Sequence, residues 1–345
     1  MKALIKIFSA ILLLSVCSCA SKDRYIAFSG YAQGGTYTVK ANLKGVRVQP
    51  QTIRDSVECI LQRIDFSVSG YNRKSILSGL NSGERVTPDE VLKAAYDTSY
   101  AYFVRTGGAF DVAAGPLFNI WGFGFSEGRM PTDGEVTSIL ASSGMKHLSP
   151  TMEAVLAQDG TLSASDLVTD GSGVFPVLNF NAIAQGFTCD MVADYLHSIG
   201  VKDMLVDIGE IYCEGLNPSG KGWTVGIDRP VDGNMTPGAD LEGVWTSDGG
   251  PCGIVTSGNY RKFYIRDGKK YAHTVDPRTG YPVQHNLLSA TIVAPTAAEA
   301  DAIATFCMVI GEEQSKAFIE ADPRLEGFLV TSDGEWASAG FTLRK

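Results

Sequence analysis

The pair Asp267-Gly268, set between the runs 260–266 and 269–275, constrains the fold more than any other feature of the sequence. Asp-Gly accepts the positive φ angles of a two-residue turn whose twist suits paired strands, so the two runs read as an antiparallel hairpin. Asp333-Gly334 marks a second such turn, and short strand-like runs occur at 203–208, 223–227 and 253–257. Residues 36–41 alternate like a half-buried strand just beyond the flexible pair Gly34-Gly35. Helical spacing is confined to a few stretches. Ile53, Val57, Ile60, Leu61 and Ile64 follow it, and residues 88–105 read as a helix with Pro88 in its first turn and Gly107 at its stop. Residues 182–199 read as a helix ended by Gly200, and 296–309 as one opened by the capping box Thr296-x-x-Glu299. Strands joined by hairpins, with helices between, predict an α+β protein of mostly antiparallel sheets with packed helices rather than a doubly wound parallel sheet. Residues 228–251, rich in Gly, Asp and Pro, read as a loop excursion between strands.

Composition narrows the partners. The chain has 345 residues, 44% of them hydrophobic, enough for one large core or two smaller ones. Its net charge of -9 disfavours a nucleic-acid backbone, which needs a basic face, and favours a small ligand or another protein as partner. Lys2 and Lys6 precede an apolar run at 7–16 that is too short to span a bilayer but suits the core of a secretory signal. The run ends in Val16-Cys17-Ser18-Cys19-Ala20-Ser21, which resembles a lipobox. Cys19 is the better lipidation site than Cys17, because Val16 is bulky for the position before the cut; an ordinary cleaved signal is the alternative. The expected organisation is a lipoprotein signal at 1–18, a tether at 19–32 and one functional unit at 33–345. A lipid on Cys19 would hold the protein on the extracytoplasmic, periplasmic side of a membrane. Cys59, Cys189, Cys213, Cys252 and Cys307 lack CxxC spacing and read as core thiols.

Asp301 and Thr305 stand at i and i+4, so on a helix their side chains share one face and offer hard oxygen donors of the kind that suit Mg²⁺. Taken alone, the pair is more commonly a surface Asp and a Thr bonded to its own backbone. His273, ahead of the Asp276-Pro277 turn, can accept a proton near neutral pH, although a histidine merely packed on a strand is the commoner case. The stretch 107–117, running into Trp121-Gly122-Phe123-Gly124, joins glycines to aromatics that either stack on a flat heterocycle or form a packed turn. Gly34-Gly35-Thr36 offers backbone N–H groups to a phosphate but lacks the rest of a P-loop. No Gly-x-Ser-x-Gly, His-Glu-x-x-His or Gly-x-Gly-x-x-Gly sequence supports a serine hydrolase, a zinc protease or a Rossmann dehydrogenase.

Several motifs taken in order give the chain a resemblance to the FAD:protein FMN transferases, the ApbE family. They are Gly34-Gly35-Thr36-Tyr37, Ser69-Gly70-Tyr71, Ala109-Phe110-Asp111 with Gly115-Pro116-Leu117, and Asn181-Ala182-Ile183-Ala184-Gln185-Gly186. Thr256-Ser257-Gly258-Asn259-Tyr260-Arg261, the segment from His273 to Pro282, and the segment from Asp301 to Thr305 complete the set. The resemblance implies a T-fold-related architecture and Mg²⁺-dependent transfer of FMN from FAD to a Ser or Thr hydroxyl of a target protein, with release of AMP. It implies Asp301, Thr305 and the Ala182 carbonyl as metal ligands and His273 as the base. Gln33, Tyr71, Ala109, Phe110, Asp111, Asn179, Gln185 and Val275 would line the FAD site. The implied acceptors are flavoprotein subunits of sodium-pumping NADH:quinone reductase or Rnf type. Asn179 and Gln185 stand where the family often has Asp and Lys, Gln33 where Met is common, and Gly209-Glu210 has one glycine fewer than the usual turn. Two alternatives stay open: an FAD pyrophosphatase that gives FMN and AMP, and an FAD-binding lipoprotein without chemistry.

Overall fold

The computed structural model describes residues 24–123, 130–234, 236–260, 263–266 and 269–345. The expected signal at 1–18, with Cys17, together with Cys19, Gly124, Arg261 and the pair Asp267-Gly268, lies outside the described residues. The first described element lies within the segment 19–32. Strand β1 (Tyr25–Ala32) pairs antiparallel with β2 (Gly35–Asn42), and only Gln33 and Gly34 separate them. Both turn residues have positive φ, 50° and 80°, the geometry that folds one twisted strand back on another in two residues. Gly34 thus completes the hairpin turn while Gly35 already belongs to β2, and Ile26, Phe28 and Ala32 pack against the core beneath.

Helices α1 (Pro50–Val68), α2 (Ile76–Asn81) and α3 (Glu90–Arg105) follow. Helix α3 starts later than expected: the Asp89 carboxylate accepts the Leu92 N–H at 2.9 Å, which places Pro88 before the cap. Gly107, at φ 58°, ends it as expected. Then come α4 (Gly115–Ile120), α5 (Asp133–Ala141) and α6 (Ala184–Ser198). Helix α6 leaves Ala182 in the turn ahead of it and stops before Gly200, at φ 91°.

The remaining chain supplies β3 (Met204–Asp207), β4 (Ile211–Glu214), β5 (Thr224–Asp228), β6 (Leu241–Thr246), β7 (Cys252–Gly258), β8 (Phe263–Arg266) and β9 (Lys269–Ala272). After these come β10 (Leu287–Ala294), α7 (Ala297–Ile310), α8 (Glu312–Ala321), β11 (Glu326–Thr331), β12 (Glu335–Ala337) and β13 (Leu343–Arg344). Strand β6 corrects the loop expected at 228–251: it pairs with β5 and β13, and its Trp245 is buried. The surrounding Gly, Asp and Pro obscure its strand character.

The main sheet runs β1-β2-β3-β4-β7-β10-β11-β12, and each of its pairings is antiparallel. This is the expected α+β class. Strand β3 shows how the layers form: Met204 and Val206 pack with α1 and α6, while Leu205 between them packs with Val225 of β5 and with Trp223 just ahead of it. Helices therefore cover one face and the sheet β13-β6-β5 the other. Helix α7 lies inside the helical layer, buried on almost every side. It gives Ala298 and Ala302 to a core shared with α3, and Ala300, Ile303, Ala304 and Cys307 to a core on β7 and β10.

Candidate functional site

The site grows from the burial of α7. Its run of Ala residues permits a close approach that larger side chains would block, and two glycines complete the fit. A Cβ on Gly186 of α6 would strike the Ala297 carbonyl, and one on Gly253 of β7 would strike the Ala297 Cα. At the start of α7 the Thr296 hydroxyl accepts the Glu299 N–H at 3.1 Å, as the capping box predicts. The reciprocal half is absent, because the Glu299 carboxylate pairs instead with Arg105 at 2.5 Å and Arg324 at 3.4 Å. The Ala297 and Ala298 N–H groups donate to Asp190 of α6, each at 2.8 Å.

One turn into α7, Asp301 is only 5% exposed. Its Oδ2 accepts the Gly186 N–H at 3.2 Å, and its Oδ1 accepts no hydrogen bond among the described residues. Burial, opposed by that N–H and aided by the Asp190 charge, pushes the Asp301 carboxyl up to about 7. The Thr305 hydroxyl makes no hydrogen bond among the described residues, so the simpler account of a Thr bonded to its own backbone does not hold. The Ala182 carbonyl likewise receives no backbone N–H among the described residues. All three line one cavity of about 270 Å³. No group of three or more His, Cys, Asp or Glu side chains converges among the described residues. A buried carboxylate, a hydroxyl and a carbonyl nevertheless fit a hard cation such as Mg²⁺, which takes few protein oxygens and keeps water or substrate phosphate as its other ligands.

The same cavity holds His273, which follows β9. Its loop is tied at several points. Asp276 accepts the Arg278 N–H at 2.8 Å and pairs with the Arg278 guanidinium at 2.8 Å, while the Thr274 hydroxyl donates to Asn259 at 2.6 Å. Buried Trp121 donates its Nε1–H to the Gly280 carbonyl at 2.7 Å and stacks on Tyr271 at 6.2 Å, so the glycine–aromatic stretch braces the histidine loop. Val275, bridged to Pro282, also lines the cavity.

Ala109, Phe110 and Asp111 line the cavity as well. The Asp111 carboxylate accepts the Ala113 N–H at 2.8 Å and the Met145 N–H at 3.1 Å, yet burial still raises it to about 6. Asn179 and Gln185 complete the wall; Gln185 packs against Gly209, whose φ of 89° and missing Cβ make room for it. Tyr71 stands at the mouth, 70% exposed, and its hydroxyl accepts from Asn181 at 3.1 Å. Gln33 is the one expected site residue outside this cavity. It lines an adjoining groove of about 610 Å³ that shares Tyr71, Asn181 and Gln185 with the cavity, and it donates to Thr188 at 2.6 Å. Phe118, Met308 and Val309 also line the cavity and were not signalled by the sequence, since apolar residues in helices read as core. The glycine-poor turn still brings Glu210 to the cavity wall.

Together the fold and the cleft define an α+β protein with one cavity lined by a buried carboxylate, a hydroxyl, a carbonyl and an imidazole. Residues 33–329 match the family described as the ApbE family, and the chain belongs to it. It is 32% identical over 340 residues to the FAD:protein FMN transferase of Vibrio cholerae serotype O1, covering 95% of each chain. Among solved structures it resembles the apo flavinyl transferase ApbE of Pseudomonas stutzeri, with a TM-score of 0.75, 30% identity, and 92% and 95% of the two chains covered. The flavin transferase ApbE from Vibrio cholerae gives a TM-score of 0.72 at 30% identity, covering 92% of this chain and 98% of that one.

Proposed function

We propose that the protein transfers FMN from FAD to a Ser or Thr hydroxyl of an acceptor protein in a Mg²⁺-dependent reaction. The acceptor oxygen forms a bond to the phosphorus of the FMN half, the bridging P–O bond of the diphosphate breaks, and AMP leaves with the bridging oxygen. His273 takes the proton from the acceptor hydroxyl, which is a poor nucleophile while it keeps that proton. Tyr71, Phe110 and Ala109 offer flat and close-fitting surfaces to the flavin, while Asn179 and Gln185 offer neutral amides in place of a charged pair. The loop braced by Trp121 holds the imidazole, and the α6–α7 crossing holds Asp301, Thr305 and the Ala182 carbonyl. Mg²⁺ bound to those three oxygens would neutralise charge on the diphosphate and on the departing AMP.

The observation that carries this reading is that Asp301 Oδ1, the Thr305 hydroxyl and the Ala182 carbonyl, none of which has a hydrogen-bond partner among the described residues, line one cavity with His273. Incubation of the purified protein with FAD, Mg²⁺ and an acceptor domain of sodium-pumping NADH:quinone reductase or Rnf type should give a covalently fluorescent acceptor. Free FMN and AMP with an unlabelled acceptor would contradict transfer and indicate hydrolysis. The protein acts on the extracytoplasmic face of a membrane, tethered by a lipid on Cys19. Cys19→Ala should move it from the membrane to the soluble fraction, and an unchanged distribution would contradict the tether.

A further inference from the structure

The two helices of the oxygen cradle cap each other. Helix α6 has Ile183 at its cap position, a residue with no acceptor side chain, and the N–H of Gly186 in its first turn goes across to Asp301 of α7. In return, the first two N–H groups of α7 go to Asp190 of α6. In each helix the carboxylate stands four residues beyond a crossed N–H, Gly186 to Asp190 and Ala297 to Asp301, and the crossing point is where Gly186 meets Ala297. The two halves are not equivalent. Asp190 uses both oxygens to hold N–H groups, whereas Asp301 uses one and leaves the other to the cavity.

Asp190 lines a separate groove, with Thr296 and Ala298 at the start of α7, and not the cavity that holds His273. We propose that it is a positioning residue: it fixes the first turn of α7 on α6 and so brings the Asp301 carboxylate, the Thr305 hydroxyl and the Ala182 carbonyl to one point. A carboxylate that accepts two N–H groups also opposes the positive end of the helix dipole, which makes this tie stronger than the neutral Thr296 cap beside it. Without Asp190, α7 keeps the Gly186–Asp301 bond as its only polar tie to α6 among the described residues, and that bond involves the ligand itself. The inference rests on the cation site proposed above.

The test is Mn²⁺ binding to the FAD-free full chain, read from loss of the free-ion paramagnetic signal, in wild type, Asp190→Ala, Asp190→Asn, Asp301→Ala and Asp89→Ala. Asp89→Ala removes the cap of α3 and reports what general destabilisation does. Asp190→Ala should weaken Mn²⁺ binding roughly 10- to 100-fold, the range for residues that orient metal ligands. Asp190→Asn, which keeps one acceptor and guards against a misfolded alanine variant, should weaken it less, and Asp89→Ala should leave it unchanged. In FMN transfer the half-saturating Mg²⁺ concentration should rise by the same factor while the rate at saturating Mg²⁺ is retained. Asp190 variants that melt lower but bind Mn²⁺ like wild type would overturn the positioning role and leave the cation site intact. A wild type that binds no Mn²⁺, matching Asp301→Ala, would overturn the cation site and this inference with it.

Discussion

Thr305 shows what sequence tells and withholds at the scale of one residue. Its spacing from Asp301 is legible, but nothing in the spacing says that both side chains face a cavity instead of water. That depends on α7 being buried on almost every side, which follows from Gly186 and Gly253 far away in the chain. Thr305→Val keeps the shape and removes the oxygen. It should lower kcat/KM for FMN transfer by about 10²-fold, the scale of losing one preorganised electrostatic group, with little change in melting temperature. Steady-state labelling of an acceptor domain checks this, and full activity would remove Thr305 from the site. Asp111 sets a pH dependence. Burial raises its carboxyl to about 6, against the pull of the Ala113 and Met145 N–H groups and of Lys146 and His147. Between the unfolded value of about 4 and that point the folded chain binds more protons than the unfolded one, so this group makes stability fall as pH rises through the window. Asp111→Asn should flatten the decline in Tm across about pH 4 to 6 in FAD-free protein. Asp190 and Asp301, also raised, would keep part of the slope. A decline as steep as in wild type would contradict the assignment.

Elements were legible where a local rule sufficed and obscure where a distant partner decided. The helix stops at Gly107 and Gly200 are local and stand where expected. The start of α7 is only half local: Thr296 caps it, but Glu299 is drawn to Arg105, and Asp190 takes over from another helix. No spacing rule links Asp190 to Ala297. The crossing that results is intolerant of volume, and Gly186→Ala should cost about 1–3 kcal/mol through forced separation of α6 and α7. Denaturant unfolding measures this, and a neutral effect would mean that the helices have room to spare. The histidine loop depends in the same way on an element distant in sequence. Trp121→Phe removes the donor to the buried Gly280 carbonyl and should cost about 1–3 kcal/mol. It should also reduce kcat/KM as the His273 loop loosens, with chemical melts and kinetics read together. Unchanged values of both would show that the brace is dispensable.

Over the whole molecule, the antiparallel α+β class was readable from hairpin turns and capped helices, because both are short-range signals. The second layer was not. Strands β5, β6 and β13 come from separate stretches, and β6 is embedded in a Gly- and Pro-rich segment, so only packing against Leu205, Cys213 and Phe328 reveals that a second sheet covers the first. The convergence that matters most is also tertiary. His273 arrives from a hairpin, Ala182 from a turn before α6, and Asp301 and Thr305 from a helix held between two cores, yet all line one cavity. The central claim is that this convergence performs metal-dependent transfer of FMN to protein. Its most direct test is mass spectrometry of an acceptor domain incubated with FAD and Mg²⁺ and wild type, Asp301→Ala or His273→Ala. The account predicts one FMN esterified to a Ser or Thr with wild type, lost on chelation of the metal and strongly diminished with either variant. An adduct that forms as readily with Asp301→Ala, or that persists without metal, would contradict it.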